Sequence, residues 1–397
     1  MMSPFNFSRR VSRAAIGIGA LWLVCVAGPG VKAQAIPRPA PTPNDTLVSP
    51  EVLPDHRVTF RIYAPKATEV AVRGEWAPMR GLVNAGEKMA KGDQGVWSIT
   101  VGPLAPDIYR YSFNVDGVKV VDPKNPGVTE GMTNPDSIFE VPGKETEFED
   151  LEPVPHGDLR IVWYPSSALG MTRRMHIYTP PGYEASDVRY PVLYLLHGGG
   201  DNDTGWYTIG RANVILDNLL AQGRAKPMIV VMPFGHTVAF NMNDISGSMA
   251  RNAEGFSNDL LKDIIPYVEK NYRVVTTSDG RAIAGLSMGG METLYVGLSH
   301  PDKFSYLGVF SAGIFGGEQE FEELHQAALE SPETNQRLKL FWIACGTQDS
   351  LAYPGAKRLT EVLNRHGIKY ELRESDGGHT FMNWRHYLDE FAPKLFR

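Results

Sequence analysis

The feature that most restricts the fold is a five-residue run, Gly285-Leu286-Ser287-Met288-Gly289, set between an apolar stretch and a helical one. Residues 281–284 (RAIA) read as a buried strand, and residues 289–300 carry a helical pattern. With 40 glycines in 397 residues, the G-x-S-x-G pattern alone arises easily by chance, so its position carries the meaning. A serine at a tight strand-to-helix turn has its hydroxyl exposed, and the flanking glycines let strand and helix approach closely. That geometry requires a sheet whose strands feed helices.

The surrounding sequence supplies one. Apolar runs at 191–196 (PVLYLL), 228–232 (MIVVM), 307–310 and 338–344 alternate with amphipathic stretches at 256–271, 289–300 and 356–366. This rhythm predicts a mostly parallel sheet covered by helices on both faces, with its chemistry at the carboxyl ends of the strands. The stretch 256–271 places Asp259, Lys262, Asp263, Glu269 and Lys270 on what reads as a solvated face. Earlier in the chain, short alternating segments at 58–63, 69–73, 96–101 and 109–115 lack any helical period, and Asp116-Gly117 is a hairpin signal. They predict a small all-β sandwich over 55–142. A proline-rich linker over 34–54 precedes it, an acidic linker over 143–157 follows, and the helix-bearing domain spans 158–397.

Residues 1–33 read as a signal peptide: Arg9, Arg10 and Arg13 precede an uncharged stretch over 14–27, and Val31-Lys32-Ala33 offers a cleavage site after Ala33. The expected location is secreted or periplasmic, with no membrane association after cleavage. Removal of the segment lowers the formal net charge from −6 to −10 and leaves Cys345 as the only thiol. A disulfide scaffold is thereby excluded, and an acidic chain is not expected to bind nucleic acid.

A serine hydroxyl needs a base to take its proton. His379, in Ser375-Asp376-Gly377-Gly378-His379, falls in a loop after the strand at 370–374, whereas His300 and His366 close helices and His325 and His386 read as surface residues. In folds built on such an elbow the acid lies between serine and histidine in the chain. Asp349, directly after the strand 338–344, is the preferred partner, with Asp376 the rival. The run His197-Gly198-Gly199-Gly200 leaves the strand 191–196, so backbone N–H groups of Gly199 and Met288 are candidates for an oxyanion hole. No metal-ligand spacing occurs, and the chemistry calls for no cofactor.

These pieces together, LLHGGGDNDTGW, GLSMGG, CGTQD and GGHTFMNWR, resemble the esterase-D-like α/β-hydrolases that include the feruloyl and acetyl-xylan esterases of carbohydrate esterase family 1, with enterochelin esterases as relatives. The resemblance implies an α/β-hydrolase with Ser287 as nucleophile, His379 as general base and acid, and Asp349 as its partner. Many relatives carry Trp two residues after the histidine where Phe381 stands here, which points to an altered acyl pocket. The preceding domain is similar to early-set, immunoglobulin-like sandwiches of carbohydrate-binding family 48. It is expected either to bind glycan, with Trp76 and Trp97 as candidate platforms, or to brace the active site. Trp206, Phe234 and Trp384, near strand ends, are candidate walls for an aromatic acyl group. The function expected is a secreted serine esterase acting on feruloyl or acetyl esters of plant cell-wall polysaccharide. A siderophore esterase and a non-catalytic glycan-binding protein are the alternatives.

Overall fold

The computed structural model describes residues 40–80, 83–132, 135–239 and 244–397. The segment read as a signal peptide, the expected cleavage after Ala33 and the first part of the proline-rich stretch lie outside the described residues.

Eight strands build the larger sheet: β1 (Asp158–Ser166), β2 (Met171–Thr179), β3 (Val192–Leu196), β4 (Ile229–Pro233), β5 (Arg281–Leu286), β6 (Tyr306–Phe310), β7 (Leu340–Gly346) and β8 (Glu371–Ser375). Their order is β1-β2-β4-β3-β5-β6-β7-β8. β1 runs antiparallel to β2, and β2 runs antiparallel to β4. From β4 onward every pair is parallel. Each residue of β3 through β7 is buried, because helices lie on both faces. The longer helices are α1 (Ala212–Ala221), α2 (Ile245–Asp259), α3 (Ile265–Asn271), α4 (Met288–Ser299), α5 (Glu318–Leu329), α6 (Tyr353–Arg365) and α7 (Phe381–Phe391), with a single turn at Thr334–Arg337 between α5 and β7. This is the α/β-hydrolase architecture.

One helical stretch departs from expectation. The segment read at 256–271 joins α2 to α3 through a π turn at Leu260–Ile264, next to Pro266, whose missing N–H disrupts a regular α ladder. Asp259 does not lie on a solvated face. It is fully buried, accepts a 2.7 Å hydrogen bond from the Tyr164 hydroxyl and pairs with Arg173 at 3.4 Å. His325 is likewise buried against Phe321 and Tyr295, not on the surface.

The N-terminal sandwich packs a four-stranded sheet on a six-stranded one. Asp116 and Gly117 both take positive φ, 48° and 88°, the two-residue turn that the Asp-Gly pair favours between Val115 and Val118. The proline-rich segment is not a tether throughout, since Glu51–Val52 pairs antiparallel with Val58–Thr59. Neither tryptophan is an exposed platform. Trp97 is buried and donates to the Ala64 carbonyl, and Trp76 stacks on Phe60 at 5.1 Å and donates to Glu87.

Pro43–Arg397 forms one compact unit, and within the acidic stretch at 143–157 a short 3-10 helix, Lys144–Glu149, is packed through its buried Thr146 and Glu149. Ile108, Ile138 and Phe148 join the apolar cluster under α1 and α7 that includes Leu193, Ile215 and Leu388. At its centre Arg385, fully buried on α7, binds the carbonyls of Ile209 (2.8 Å) and Ile108 (3.0 Å) and pairs with Asp107 and Glu149. Burial pushes the Glu149 carboxyl up to about 7, with Arg385 opposing. A buried cation of this kind is costly to remove, because its partners remain charged and unpaired. Arg385→Met should therefore lower unfolding free energy by about 3–5 kcal/mol in urea denaturation. A loss below about 1 kcal/mol, the range of an exposed pair, would contradict this assignment.

Candidate active site

β5 ends at Leu286 and α4 begins at Met288, so Ser287 alone makes the turn. Its φ of 52° and ψ of −115° lie where residues with a Cβ are rarely found. The strain is held in place by close packing. A Cβ on Gly285 would stand 2.4 Å from the Gly289 backbone, and one on Gly289 would stand 2.7 Å from the carbonyl oxygens of Leu196 and His197. The Ser287 N–H donates to the Phe310 carbonyl on β6 at 2.8 Å.

The serine, histidine and preferred aspartate come together. Ser287 Oγ lies 2.9 Å from His379 Nε2, and His379 Nδ1 lies 2.8 Å from Asp349 Oδ2. A carboxylate only accepts, so Nδ1 carries the proton and Nε2 is left to accept from the serine hydroxyl. Asp349 is fully buried in the turn after β7, and its Oδ1 accepts from the N–H groups of Ala352 (2.9 Å) and Leu351 (3.2 Å). The rival Asp376 is exposed. Trp384 meets the His379 ring edge-on at 5.0 Å and so fixes its plane. Burial pushes the neighbouring Cys345 thiol up to about 12, which leaves it unreactive.

Met288 is the first residue of α4, so its N–H has no partner within the helix, and the positive end of the helix dipole faces the serine. Gly199 faces it, since a Cβ there would lie 3.9 Å from that of Met288. The glycine run is fixed from behind. His197 Nε2 accepts from the Gly235 N–H at 2.9 Å, so its Nδ1 is protonated and donates to the Gly198 carbonyl at 2.8 Å. The loop after β4 is held in turn by Arg173, which donates to the carbonyls of His236 (2.7 Å) and Phe234, and by Asn252, which receives the Thr237 N–H at 2.7 Å. Asn252 also donates to the buried Glu292 at 2.7 Å. Burial pushes the Glu292 carboxyl well above its usual range. These supporting residues were missed in the sequence, where no local motif marks them.

Of the three aromatic candidates, only Phe234 keeps exposed surface, in the loop after β4 and beside His197 and His236. Trp206 is buried, with its indole donating to the Leu196 carbonyl at 2.9 Å, and it braces the strand that carries the glycine run. Trp384 is also buried. Phe381 lies wholly inside, between Trp206 and Trp384 and beneath Arg110 of the sandwich, and presents no exposed surface of its own. Arg110 itself joins the sandwich to the site: it pairs with Glu75 at 2.9 Å and with Asp201 of the glycine-run loop at 3.0 Å.

A hydroxyl on a strained turn beside a helix N-terminus and an imidazole anchored by a buried carboxylate are parts suited to attack on a carbonyl.

The Esterase family model matches residues 166–395, and that of carbohydrate-binding module 48 (isoamylase N-terminal domain) matches residues 48–129. An endo-1,4-beta-xylanase/feruloyl esterase of Xylanibacter ruminicola is 33% identical over 374 residues, 92% of this chain and 48% of that protein. The chain spans about half the length of the curated relatives it matches. A CE1 ferulic acid esterase from Anaeromyces mucronatus, solved with ferulic acid, superposes with TM-score 0.54 at 28% identity over 64% of this chain and 96% of that one. An enterochelin esterase from Shigella flexneri has the same fold across 86% of this chain and 92% of its own, with TM-score 0.64 at 18% identity.

Three buried histidines make stability depend on pH. Burial pushes His197, His236 and His325 down to about 4, so each is neutral when folded while the unfolded chain takes up protons near pH 6.5. Their contribution is complete above about pH 6.5 and is lost as pH falls toward 4, about 2 kcal/mol for each at pH 5. The urea midpoint should fall between pH 7 and pH 5, and His325→Leu should remove part of that fall. A midpoint independent of pH over this range would contradict the assignment.

Proposed function

This chain belongs to the Esterase family and is a carboxylic ester hydrolase, and from that premise we propose that it cleaves feruloyl or acetyl esters of plant cell-wall polysaccharide such as arabinoxylan. The observation that carries the chemistry is the unbroken hydrogen-bonded line from Ser287 through His379 to Asp349. The substrate class is supported by the xylanase/feruloyl esterase relative, which is alike over nearly the whole of this chain.

In this reading Ser287 Oγ attacks the ester carbonyl while its proton passes to His379 Nε2. The oxygen that gains the charge accepts from the N–H groups of Gly199 and Met288. The tetrahedral intermediate collapses, the bond to the sugar oxygen breaks, and His379 hands its proton to that oxygen. Water, deprotonated by the same imidazole, then attacks the acyl-enzyme and releases the acid. Asp349 keeps the imidazole in the tautomer and orientation that both half-reactions need. Phe234 contributes an apolar wall beside the acyl group. Polysaccharide substrates lie outside the cell, which fits the reading of residues 1–33 as an export signal.

The test is release of acid from methyl ferulate, feruloylated arabinoxylan and acetylated xylan by the wild type, Ser287→Ala and Asp349→Asn. Ferulate or acetate release is expected to vanish with Ser287→Ala and to fall about 10⁴-fold with Asp349→Asn, through loss of the correct tautomer. Turnover of 4-nitrophenyl acetate without action on either polysaccharide would overturn the substrate class. Hydrolysis of a ferric catecholate trilactone in its place would assign the siderophore reading. Xylan binding with no ester turnover at all would leave a glycan-binding protein.

A further inference from the structure

The outermost strand of the large sheet carries a surface that the ester chemistry does not use. On β1 the side chains of Ile161 and Trp163 are 61% and 62% exposed, while Val162 and Tyr164, facing the other way, are buried in the core. Trp163 pairs in register with Arg174 on β2, and that guanidinium lies 5.8 Å from the indole ring. Arg174 is held in a two-pronged bond to Asp203, at 2.7 and 2.8 Å, and reaches Glu130 of the sandwich at 3.4 Å. Tyr207, half-buried, packs its ring at a tilt on His176, 4.6 Å between centroids, beside them. An exposed indole thus stands beside a fixed cation that also reaches the carboxylate of Glu130.

This group is continuous with the candidate active site. Met175 pairs with Pro233, and Tyr194 with Val231, so Trp163, Arg174, Phe234 and His197 fall on one row that crosses β1 and β2 and continues just past the carboxyl ends of β4 and β3. Three strand spacings separate β1 from β3, about 14 Å. The gap is bridged along the surface. Asn202 donates to Glu130 at 3.4 Å, and the Met132 N–H of the sandwich donates to the carbonyl of Gly200, next to Gly199, at 3.1 Å.

We propose that Trp163, with Arg174, Glu130 and Tyr207, forms a sugar subsite that holds the polysaccharide backbone of the ester substrate away from the scissile bond. This inference rests on the polysaccharide esterase reading above. An indole face suits the apolar C–H face of a pyranose ring, and guanidinium, carboxylate and phenol groups suit its hydroxyls. The carboxylate that meets this site from the sandwich explains why the sandwich sits here: it completes the subsite with Glu130 and does not need a platform of its own. A second copy of this chain adding to the free edge of β1 is disfavoured by Pro165, which offers no N–H for a further strand.

The experiment compares wild type, Trp163→Ala and Trp163→Tyr. Trp163 is exposed, so both variants keep the fold. Retardation in arabinoxylan affinity gels and KM for feruloylated arabinoxylan are measured beside KM and kcat for methyl ferulate and 4-nitrophenyl acetate. Trp163→Ala is expected to weaken gel retardation and raise polysaccharide KM about tenfold, the effect of removing a central aromatic anchor, with small-ester kinetics unchanged. Trp163→Tyr should recover most of the loss. Equal retardation of wild type and Trp163→Ala, or no retardation of the wild type, would overturn the subsite, as would a shift from dimer to monomer on Trp163→Ala. Failure of the wild type to deacylate any polysaccharide would overturn the substrate reading instead, and the gel result would still decide the subsite.

Discussion

Everything at this site depends on how closely β3, β5 and α4 approach one another. A side chain at Gly285 or Gly289 would collide with backbone at 2.4–2.7 Å, so the two glycines let the elbow close. Closure leaves Ser287 no choice but a positive φ, at a cost of about 1–3 kcal/mol drawn from the surrounding core. What the strain secures is placement. The hydroxyl projects from the end of the sheet, beside the first N–H of α4 and opposite Gly199, and the carboxyl ends of β7 and β8 bring Asp349 and His379 to it.

The sandwich is part of the same construction. Arg385 and Arg110 cross the junction in opposite directions, one from α7 into the sandwich and one from the sandwich to Asp201. Each is surrounded by carboxylates and carbonyls that would be costly to leave unpaired. The glycine-run loop is therefore clamped on both sides, by His197 and the β4 loop from behind and by Arg110 and Met132 in front. A loop whose amides must face an oxyanion gains by being held before the charge develops.

Much of this was legible in the sequence where a local rule governed the outcome. The elbow, the parallel strands, the Asp-Gly hairpin and the pairing of His379 with Asp349 each follow from short motifs at strand ends. What sequence reading missed depends on partners far apart in the chain. Asp259 looks solvated by its neighbours on the helix, yet Tyr164 and Arg173 from β1 and β2 enclose it. Trp206 and Trp384 looked available for ligand because they sit near strand ends, and Trp76 and Trp97 because glycan-binding sandwiches use such platforms, yet packing across the junction and within the sandwich consumed them. Trp163 drew no notice because an alternating strand hides which face the rest of the molecule will leave open.

The account's central claim is that Ser287 is the atom that takes the acyl group. It is tested most directly by incubating the protein with a fluorophosphonate and mapping the modified peptide by mass spectrometry, with His379→Ala as the comparison. The account predicts one adduct, on Ser287, formed by the wild type and largely absent when the imidazole is removed. Labelling at another serine, or equal labelling of Ser287 without His379, would contradict it.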